Sequence, residues 1–294
     1  MVATWLQYLI TGITIGSVYA LIALGFVTIY RASRIVNMAQ GSFVMFGGLF
    51  TFSMLQEVGL PYWLAGIAGV VLVVVLGMLM FQVVLKPVLK ISLVTMILTT
   101  VALSLLFENL SLIKYGGYPK QLPGFTGSAS FGVHGVYVEW QAIWMIGIMI
   151  VCLVVLWFLN NRTMLGKRMT AAATNPRAAS LSGVSVSRMI LLSFAISGAI
   201  GAIAGIAISE KVGGLSYATG GIYGMMGFIA AVLGGWGSST GAVVGGLVLG
   251  IVQGLSTGLV PAGYANVPAF IILLIVLYAR PQGILGTRVP EGEV

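Results

Sequence analysis

Ionisable side chains are scarce in this 294-residue chain. Charged residues make up 7% of it, there is no aspartate, and the only histidine is His134. Soluble globular domains carry about 25% charged residues. Metal sites and paired-carboxylate active sites need clusters of His, Cys, Asp or Glu side chains, and the sequence contains no such cluster. The composition therefore argues against a metal centre and against an enzyme.

Disulfide and nucleotide-binding signals are missing as well. The single cysteine, Cys152, lies in an apolar run, so no disulfide framework can form. No segment matches the phosphate-loop pattern G-x-x-x-x-G-K-[ST]. We therefore expect the chain itself to bind no cofactor and to hydrolyse no ATP.

Apolar residues are abundant. They make up 59% of the sequence, the mean hydropathy is +1.08, and glycine occurs 41 times. A run of about 20 apolar residues crosses a hydrocarbon core of roughly 30 Å. The sequence therefore predicts an all-α polytopic membrane protein with about 8–9 transmembrane helices, forming one membrane domain over residues 1–294. The predicted spans are Trp5–Tyr30, Val36–Gln56, Tyr62–Leu85, Ile91–Ile113, Glu139–Leu159, Met189–Glu210, Ile222–Gly235, Gly241–Leu259 and Tyr264–Ala279.

Two of these spans, residues 36–56 and 222–235, are short and rich in glycine. Val36–Phe52 and Ala218–Trp236 both begin with small or polar residues and continue with Gly, an aromatic residue, Met and Gly. They run in opposite directions in the predicted topology, as the two copies of an inverted repeat do in many transporters. The alternative to an inverted repeat is that the two segments resemble each other by chance, because both are apolar. The sequence also leaves open whether these spans cross fully or are broken, re-entrant helices.

The distribution of positive charge predicts the orientation. With nine alternating crossings, eleven of the fourteen Lys and Arg residues fall on one side, and only Lys114, Lys120 and Lys211 fall on the other. Loops on the cytosolic side of membrane proteins carry this excess. We therefore expect a periplasmic N-terminus and a cytoplasmic C-terminus. The net charge of +8 then reflects topology, and no nucleic-acid partner is expected.

The longest polar segments are two connections on opposite sides. Residues 160–187 form a basic loop on the predicted cytosolic side, and residues 114–138 form a periplasmic loop rich in Gly, Pro and aromatics. In the basic loop we expect two short helices, around Lys167–Thr174 and Arg177–Leu181, separated by Pro176 and capped by Asn175. Such a helix pair would suit docking to a cytosolic partner. A merely solvated, charged loop is the alternative.

Several motifs resemble one known family. The pattern G-K-R-M-x-A-x-A-x-N-x-x-A-A-x-L-x-G-V, from Gly166 to Val184, resembles the cytoplasmic coupling motif of ATP-binding-cassette (ABC) importer permeases. Gly16–Phe26, Arg31–Phe43, and the closing Arg280–Gly283 with Leu285 and Gly286 resemble the branched-chain amino acid (LivH-type) permeases, which are related to the ribose-type permeases. These motifs follow the family's order along nearly the whole chain.

The resemblance implies partners and a set of coupling residues. Members of the family are bacterial inner-membrane subunits that pair with a second related permease, or with a second copy. Two cytosolic ABC ATPases power them, and a periplasmic substrate-binding protein delivers the solute. By resemblance, the basic loop would sit in a cleft of the ATPase and transmit its closure. The expected ATPase-coupling residues are Gly166, Lys167, Arg168, Ala171, Ala172, Asn175, Ala179 and Gly183.

Asn37, Gln40 and Gly41 are the tentative translocation-path residues. They open the short second span, where a broken helix end would expose backbone groups that can line a passage. Helix capping at the cytosolic interface is the alternative for the two polar side chains. The glycines of both short spans are expected to serve close packing between helices.

Glu108 is the ionisable residue closest to the middle of a predicted span. It would reach the outer headgroups or pair with Lys114, although charged groups at membrane depth commonly serve function. No buried acid or histidine relay accompanies it, which argues against a proton-coupled secondary transporter.

The sequence thus predicts the permease subunit of an ABC importer that moves branched-chain or other hydrophobic amino acids by alternating access. The same architecture importing urea or short-chain amides is the first alternative. A stand-alone secondary transporter or channel is the second.

Overall fold

The computed structural model describes residues 2–89, 91–127, 130–133, 136–261, 264 and 266–286. Lys90, His134 and Arg288, which entered the sequence analysis, lie outside these residues. The described residues are mostly helical and include one β-hairpin. The helices are α1 Val2–Ser33, α2 Gln40–Gln56, α3 Tyr62–Leu79, a π-helix Met80–Leu85, α4 Lys86–Val88, α5 Leu93–Tyr115, α6 Trp140–Arg162, α7 Met164–Thr174, α8 Pro176–Leu181, α9 Val186–Ser209, α10 Thr219–Gly234, α11 Ser239–Ser256 and α12 Val267–Ala279.

The predicted class, an all-α polytopic membrane protein, is confirmed. Six helical segments in the described residues are long and apolar enough to cross a membrane: Ala3–Ser33, Tyr62–Val88, Val94–Tyr115, Trp140–Arg162, Val186–Ser209 and Ser239–Ser256. Two further apolar helices, α10 and α12, are shorter. At 1.5 Å per residue, the 16 residues of α10 extend about 24 Å and the 17 of α2 about 26 Å, less than a 30 Å hydrocarbon core.

Some predicted boundaries differ from the structure. The second span was expected from Val36, but residues 36–39 are not helical and α2 begins at Gln40. The third predicted span is one continuous rod that changes to a π-helix at Met80 before it reaches Lys86. The predicted loop 114–138 contains an antiparallel hairpin, β1 Ser130–Val133 and β2 Val136–Glu139, which was not predicted. Its strands are only four residues long, so their alternation gives too little pattern to recognise.

Small residues hold the centre of the bundle together. Helices α1 and α11 cross antiparallel, and a Cβ added at Gly16 would lie 2.9 Å from the Gly246 carbonyl oxygen. Gly12 faces Gly250 in the same way, with 2.8 Å between its added Cβ and the Gly250 carbonyl oxygen. Small residues at four-residue spacing let backbones approach this closely, and close packing drives helix association in lipid.

Helices α1 and α10 run parallel, and their aromatic contacts fix the level of α10 relative to α1. Ring centroids lie 6.2 Å apart between Tyr19 and Tyr223, and 5.0 Å apart between Tyr30 and Trp236. Tyr19 is close to the centre of α1, a helix about 48 Å long. The first turn of α10, just before Tyr223, therefore lies near the middle of the bundle and not at its surface.

Helix α2 runs the other way, parallel to α9. Both are antiparallel to α3, because Thr51 and Phe43 of α2 meet Gly69 and Gly77, and Gly198 of α9 meets Val73. The pairs α1–α2 and α9–α10 each consist of a long helix, a turn and a short helix, and the two short helices run in opposite directions. This is the arrangement that an inverted repeat requires.

The two ends of the bundle differ in charge. At one end, which we call the cationic end, Arg31 donates to the Gly237 carbonyl (3.4 Å) and Ala32 packs against α7. At the opposite end, Gln7 bonds to the backbone of Tyr137, and Lys211 pairs with Glu139 at 2.7 Å. This division matches the predicted sorting of positive charge.

The close crossing of α1 and α11 generates a stability prediction. We expect Gly250→Ala to destabilise the protein by about 1–3 kcal/mol, because the new methyl group would collide with the backbone of Gly12 and Gly16. Gly66→Ala, on α3, is the matched control, since nothing lies within 4 Å of its added Cβ. Thermal unfolding in detergent measures both, and equal melting temperatures for the two variants would contradict the packing described here.

Candidate functional site

Two short capped helices, α7 and α8, protrude at the cationic end. The Thr163 hydroxyl accepts from the Gly166 N–H (3.3 Å) at the start of α7. The Asn175 side-chain oxygen accepts from the Ala178 N–H (3.0 Å) at the start of α8, with Pro176 in its first turn. Both are the capping interactions that stabilise helix starts. The predicted pair of helices and the predicted cap at Asn175 are confirmed, although α7 begins three residues earlier than expected.

Gly183 ends α8 with a left-handed turn. Its φ is +80°, a conformation that side chains other than glycine rarely adopt. The Val184 N–H donates to the Ala179 carbonyl (2.9 Å), and the Gly183 N–H donates to the Ser180 carbonyl (3.0 Å). These two bonds form a Schellman motif, which satisfies the last carbonyls of the helix. Gly183 therefore ends α8 and sets the direction in which the chain continues toward α9.

One side of α7 anchors it to the transmembrane helices. Met169 and Ala172 are buried against Ala32 of α1 and Met189 of α9. A Cβ added at Gly166 would lie 2.5 Å from the Cα of Asn160, so α7 folds tightly back on the end of α6. Helix α7 is therefore packed directly against α1 and α9.

The other side is open to solvent. Of the eight predicted coupling residues, three are buried, namely Gly166, Ala172 and Ala179, and five are exposed. The exposed five are Lys167, Arg168, Ala171, Asn175 and Gly183. Leu181, at the end of α8, is 92% exposed and was not among the predicted residues. The predicted set thus divides into an anchor and an outer surface, which we call the docking surface.

Deeper in the bundle, the N-terminal ends of α2 and α10 meet. The Cα of Gly41 lies 3.0 Å from a Cβ added at Gly224, and a Cβ added at Gly41 would collide with the Gly220 carbonyl. No side chain fits between the two helices here. We call this contact the α2–α10 junction, and it confirms that glycines of both short spans serve close packing.

Gln40 connects the junction to α1 and α9. It is fully buried, its amide nitrogen donates to the Ser197 carbonyl (3.3 Å), and the Ser197 hydroxyl donates to its amide oxygen (2.6 Å). The same hydroxyl lies 2.9 Å from the Gly25 carbonyl. In this conformation Gln40 therefore joins three helices and is not exposed to an open passage.

Asn37 is also buried, at 1% exposure. Its side-chain oxygen accepts from the Ala39 N–H (3.2 Å), while its side-chain nitrogen has no hydrogen-bond partner among the described residues. A buried donor without a partner costs about 1–3 kcal/mol. The next residue, Met38, donates its N–H to the Thr100 hydroxyl of α5 (3.1 Å), which fixes the irregular segment before α2.

The sequence analysis did not identify Ser197 or Gly220 as part of this region. Ser193, Ser197, Gly201 and Gly205 recur every four residues in α9, and that stripe of small residues is the signal that marks a close helix contact. Nothing in the spacing indicates that Ser197 bonds to Gln40, 157 residues away.

A polar cluster marks the opposite end. Glu139 holds Lys211 in an ion pair, and Glu210 lies beside them around a cavity of about 330 Å³ that Gln121 and Gln141 also line. Burial raises the pKa of the Glu210 carboxyl, the nearby Glu139 raises it further, and Lys211 opposes the shift. This cluster faces the side where the periplasmic loop was predicted.

Comparison with known proteins decides the family. The model of the family described as "Branched-chain amino acid transport system / permease component" matches residues 8–277. The chain belongs to this permease family. The resemblance found in the sequence is thereby confirmed, and so is the prediction of a transport subunit in place of an enzyme.

Curated members of the permease family match along almost their full length. The high-affinity branched-chain amino acid transport system permease protein LivH of Escherichia coli is 32% identical over 304 residues, covering 98% of this chain and 97% of LivH. The corresponding protein BraD of Pseudomonas aeruginosa is 29% identical over 301 residues, with coverage of 98% and 97%. The solved structure of PsaBC from Streptococcus pneumoniae in complex with Fab matches at a TM-score of 0.46 and 14% identity, covering 95% of this chain and 91% of that chain.

The division of α7 into an anchored and an open side can be tested with two adjacent alanines. We expect Ala172→Glu to destabilise the permease strongly, because the carboxylate would be buried against Ala32 and Met189 without a partner. Ala171→Glu makes the same change one residue earlier on the exposed side and should leave the stability within about 0.5 kcal/mol of wild type. Thermal unfolding of the purified subunit reports both, and similar losses in the two variants would refute the assigned orientation of α7.

Proposed function

We propose that this permease is the membrane subunit of an ABC importer that carries branched-chain amino acids into the cytoplasm. The observation that carries the proposal is the docking surface: two capped helices, exposed and basic on one side, are packed on the other side directly against α1 and α9. The full-length relatives named for branched-chain amino acid transport support the substrate class.

The machine needs three kinds of component besides this permease. Two cytosolic ATPases bind the docking surfaces, a second permease (a related chain or another copy) completes the membrane part, and a soluble binding protein delivers the solute. The cationic end faces the cytoplasm of a bacterial cell, as the excess of positive charge there supports. The opposite end, with the hairpin and the Glu210 cluster, receives the binding protein.

Motion passes from the docking surface to the α2–α10 junction through contacts that are continuous in the structure. Ala172 of α7 packs against Met189 near the start of α9. Two turns further along α9, Ser197 holds Gln40 of α2, and the next residue of α2, Gly41, contacts α10. When the ATPases close, a shift of α7 carries α9 and α2 together and changes the junction.

The same junction lies beside the translocation path in our proposal. Asn37, Gln40 and Gly41 line the place where α2 and α10 separate when the path opens toward the cytoplasm. The unpartnered amide nitrogen of Asn37 supports this role, because it is a donor without a partner among the described residues in the present conformation. Because Gly41 has no side chain, α2 and α10 touch through backbone atoms alone, and no side chain has to move when the two helices separate.

Reversal of one surface charge tests the docking surface. In proteoliposomes containing the whole complex, we expect ATP-dependent uptake of L-leucine, and we expect Arg168→Glu to reduce it at least about tenfold, the effect of losing roughly 1.4 kcal/mol of ATPase binding. Co-purification of the ATPase with the permease should fall in parallel.

Arg188→Glu is the matched control, because Arg188 is exposed at the same end but lies outside α7 and α8. It should retain both uptake and co-purification. Wild-type uptake and wild-type co-purification in Arg168→Glu would show that the docking surface does not bind the ATPase as proposed. A wild-type complex that transports urea or acetamide and does not transport leucine would contradict the substrate class.

A further inference from the structure

Glu108 is an ionisable residue within the interior of a membrane-length helix. It belongs to α5, seven residues before that helix ends at Tyr115, and it is half-buried. Its carboxylate lies against the first turn of α10, with Oε1 3.2 Å from a Cβ added at Gly221. The absence of a side chain at Gly221 is what leaves room for the carboxylate.

The carboxylate is close to the level of the middle of α1, a membrane-length helix. Gly221 precedes Tyr223 by two residues, about 3 Å along the helix axis. Tyr223 is level with Tyr19, which lies within two residues of the centre of α1. A charged carboxylate at this depth is unfavourable by at least about 2.5–3.5 kcal/mol when it faces lipid.

No cation of this chain compensates Glu108 among the described residues. The one ion pair among the described residues joins Lys211 and Glu139, at the end of the bundle opposite the cationic end. Of the two alternatives for Glu108, the pairing with Lys114 is not formed: the ammonium group of Lys114 lies 5.1 Å from the centre of the Tyr115 ring, toward the end of α5. Helices α10, α11 and α12 contain no Lys or Arg.

Glu108 also lies on an open surface. Leu105, one turn before it on α5, is 56% exposed, and Ile222 and Met225 of α10 are 56% and 46% exposed. We call this surface the α5–α10 face. Because it contains a carboxylate level with the middle of α1, it is better suited to an aqueous passage than to lipid.

We propose that Glu108 binds the ammonium group of the amino acid as it crosses the membrane along the α5–α10 face. This inference rests on the proposed function for the identity of the solute. The group that it requires is a cation supplied from outside the chain, and an amino acid carries one. The first turn of α10 stabilises the carboxylate between transport events, since negative charge is favourable at a helix N-terminus.

Variants that remove or keep the negative charge of Glu108 test its role in transport. In proteoliposomes of the whole complex, we expect Glu108→Gln to lower L-leucine uptake per ATP hydrolysed about tenfold or more, because a charge-assisted hydrogen bond is replaced by a neutral one. Glu108→Asp, which keeps the charge, should retain more uptake than Glu108→Gln. Glu57→Gln, an exposed acid just beyond α2, is the control and should transport like wild type. Unchanged uptake in Glu108→Gln would overturn the proposal.

Cysteine labelling tests the surroundings of Glu108 without any solute. The chain has a single cysteine, so Leu105→Cys can be introduced into a Cys152→Ser background. We expect the introduced thiol to react with water-soluble methanethiosulfonates, faster with a cationic than with an anionic reagent, and we expect Glu108→Gln to abolish that preference. Ile150→Cys, on the exposed side of α6, is the lipid-facing control and should not react.

The outcomes separate the two proposals. If the Leu105→Cys variant reacts with neither reagent, lipid or a partner subunit covers the α5–α10 face, and the Glu108 site is refuted. If wild-type complex fails to accumulate leucine while the Leu105→Cys thiol still prefers the cationic reagent, the proposed substrate fails and the cation site at Glu108 stands.

Discussion

The structure depends on a backbone contact between the first turns of two short helices, α2 and α10. Without water to satisfy a free helix end, such ends persist only where protein surrounds them. Gly41 and Gly224 meet that requirement by bringing α2 and α10 together with no side chain between them. Before α2, the irregular segment is held by the bond from the Met38 N–H to Thr100 of α5.

The same constraint explains how a rigid bundle can respond to a cytosolic partner. We propose that helices packed through glycine and alanine move as units, because small residues bring their backbones into direct contact. The hydrogen bond from the Ser197 hydroxyl to Gln40 also joins α9 to α2. The docking surface lies at one end of this series of contacts and the α2–α10 junction at the other.

The sequence was sufficient for the class of protein, the approximate spans and the two docking helices. Apolar run length, the Asn175–Pro176 cap and the sorting of Lys and Arg each report a local or one-dimensional property. The start of α2 at Gln40, the burial of Ala172 and the position of Glu108 beside Gly221 were beyond its reach. They depend on which helices meet in space, and pairs such as Gln40 and Ser197 are far apart in the chain. The hairpin was missed because its strands are too short to give a pattern.

The link between docking and transport is tested most directly by the ratio of leucine taken up to ATP hydrolysed in a Ser197→Ala complex. We expect ATP hydrolysis to persist and the ratio to fall severalfold, because Gln40 loses its bond to the Ser197 hydroxyl and about 1–3 kcal/mol of coupling with it. Ser193→Ala, one turn earlier, removes only a bond within α9 to the Ile190 carbonyl and should keep the wild-type ratio. A wild-type ratio in Ser197→Ala would show that the force reaches α2 by another route.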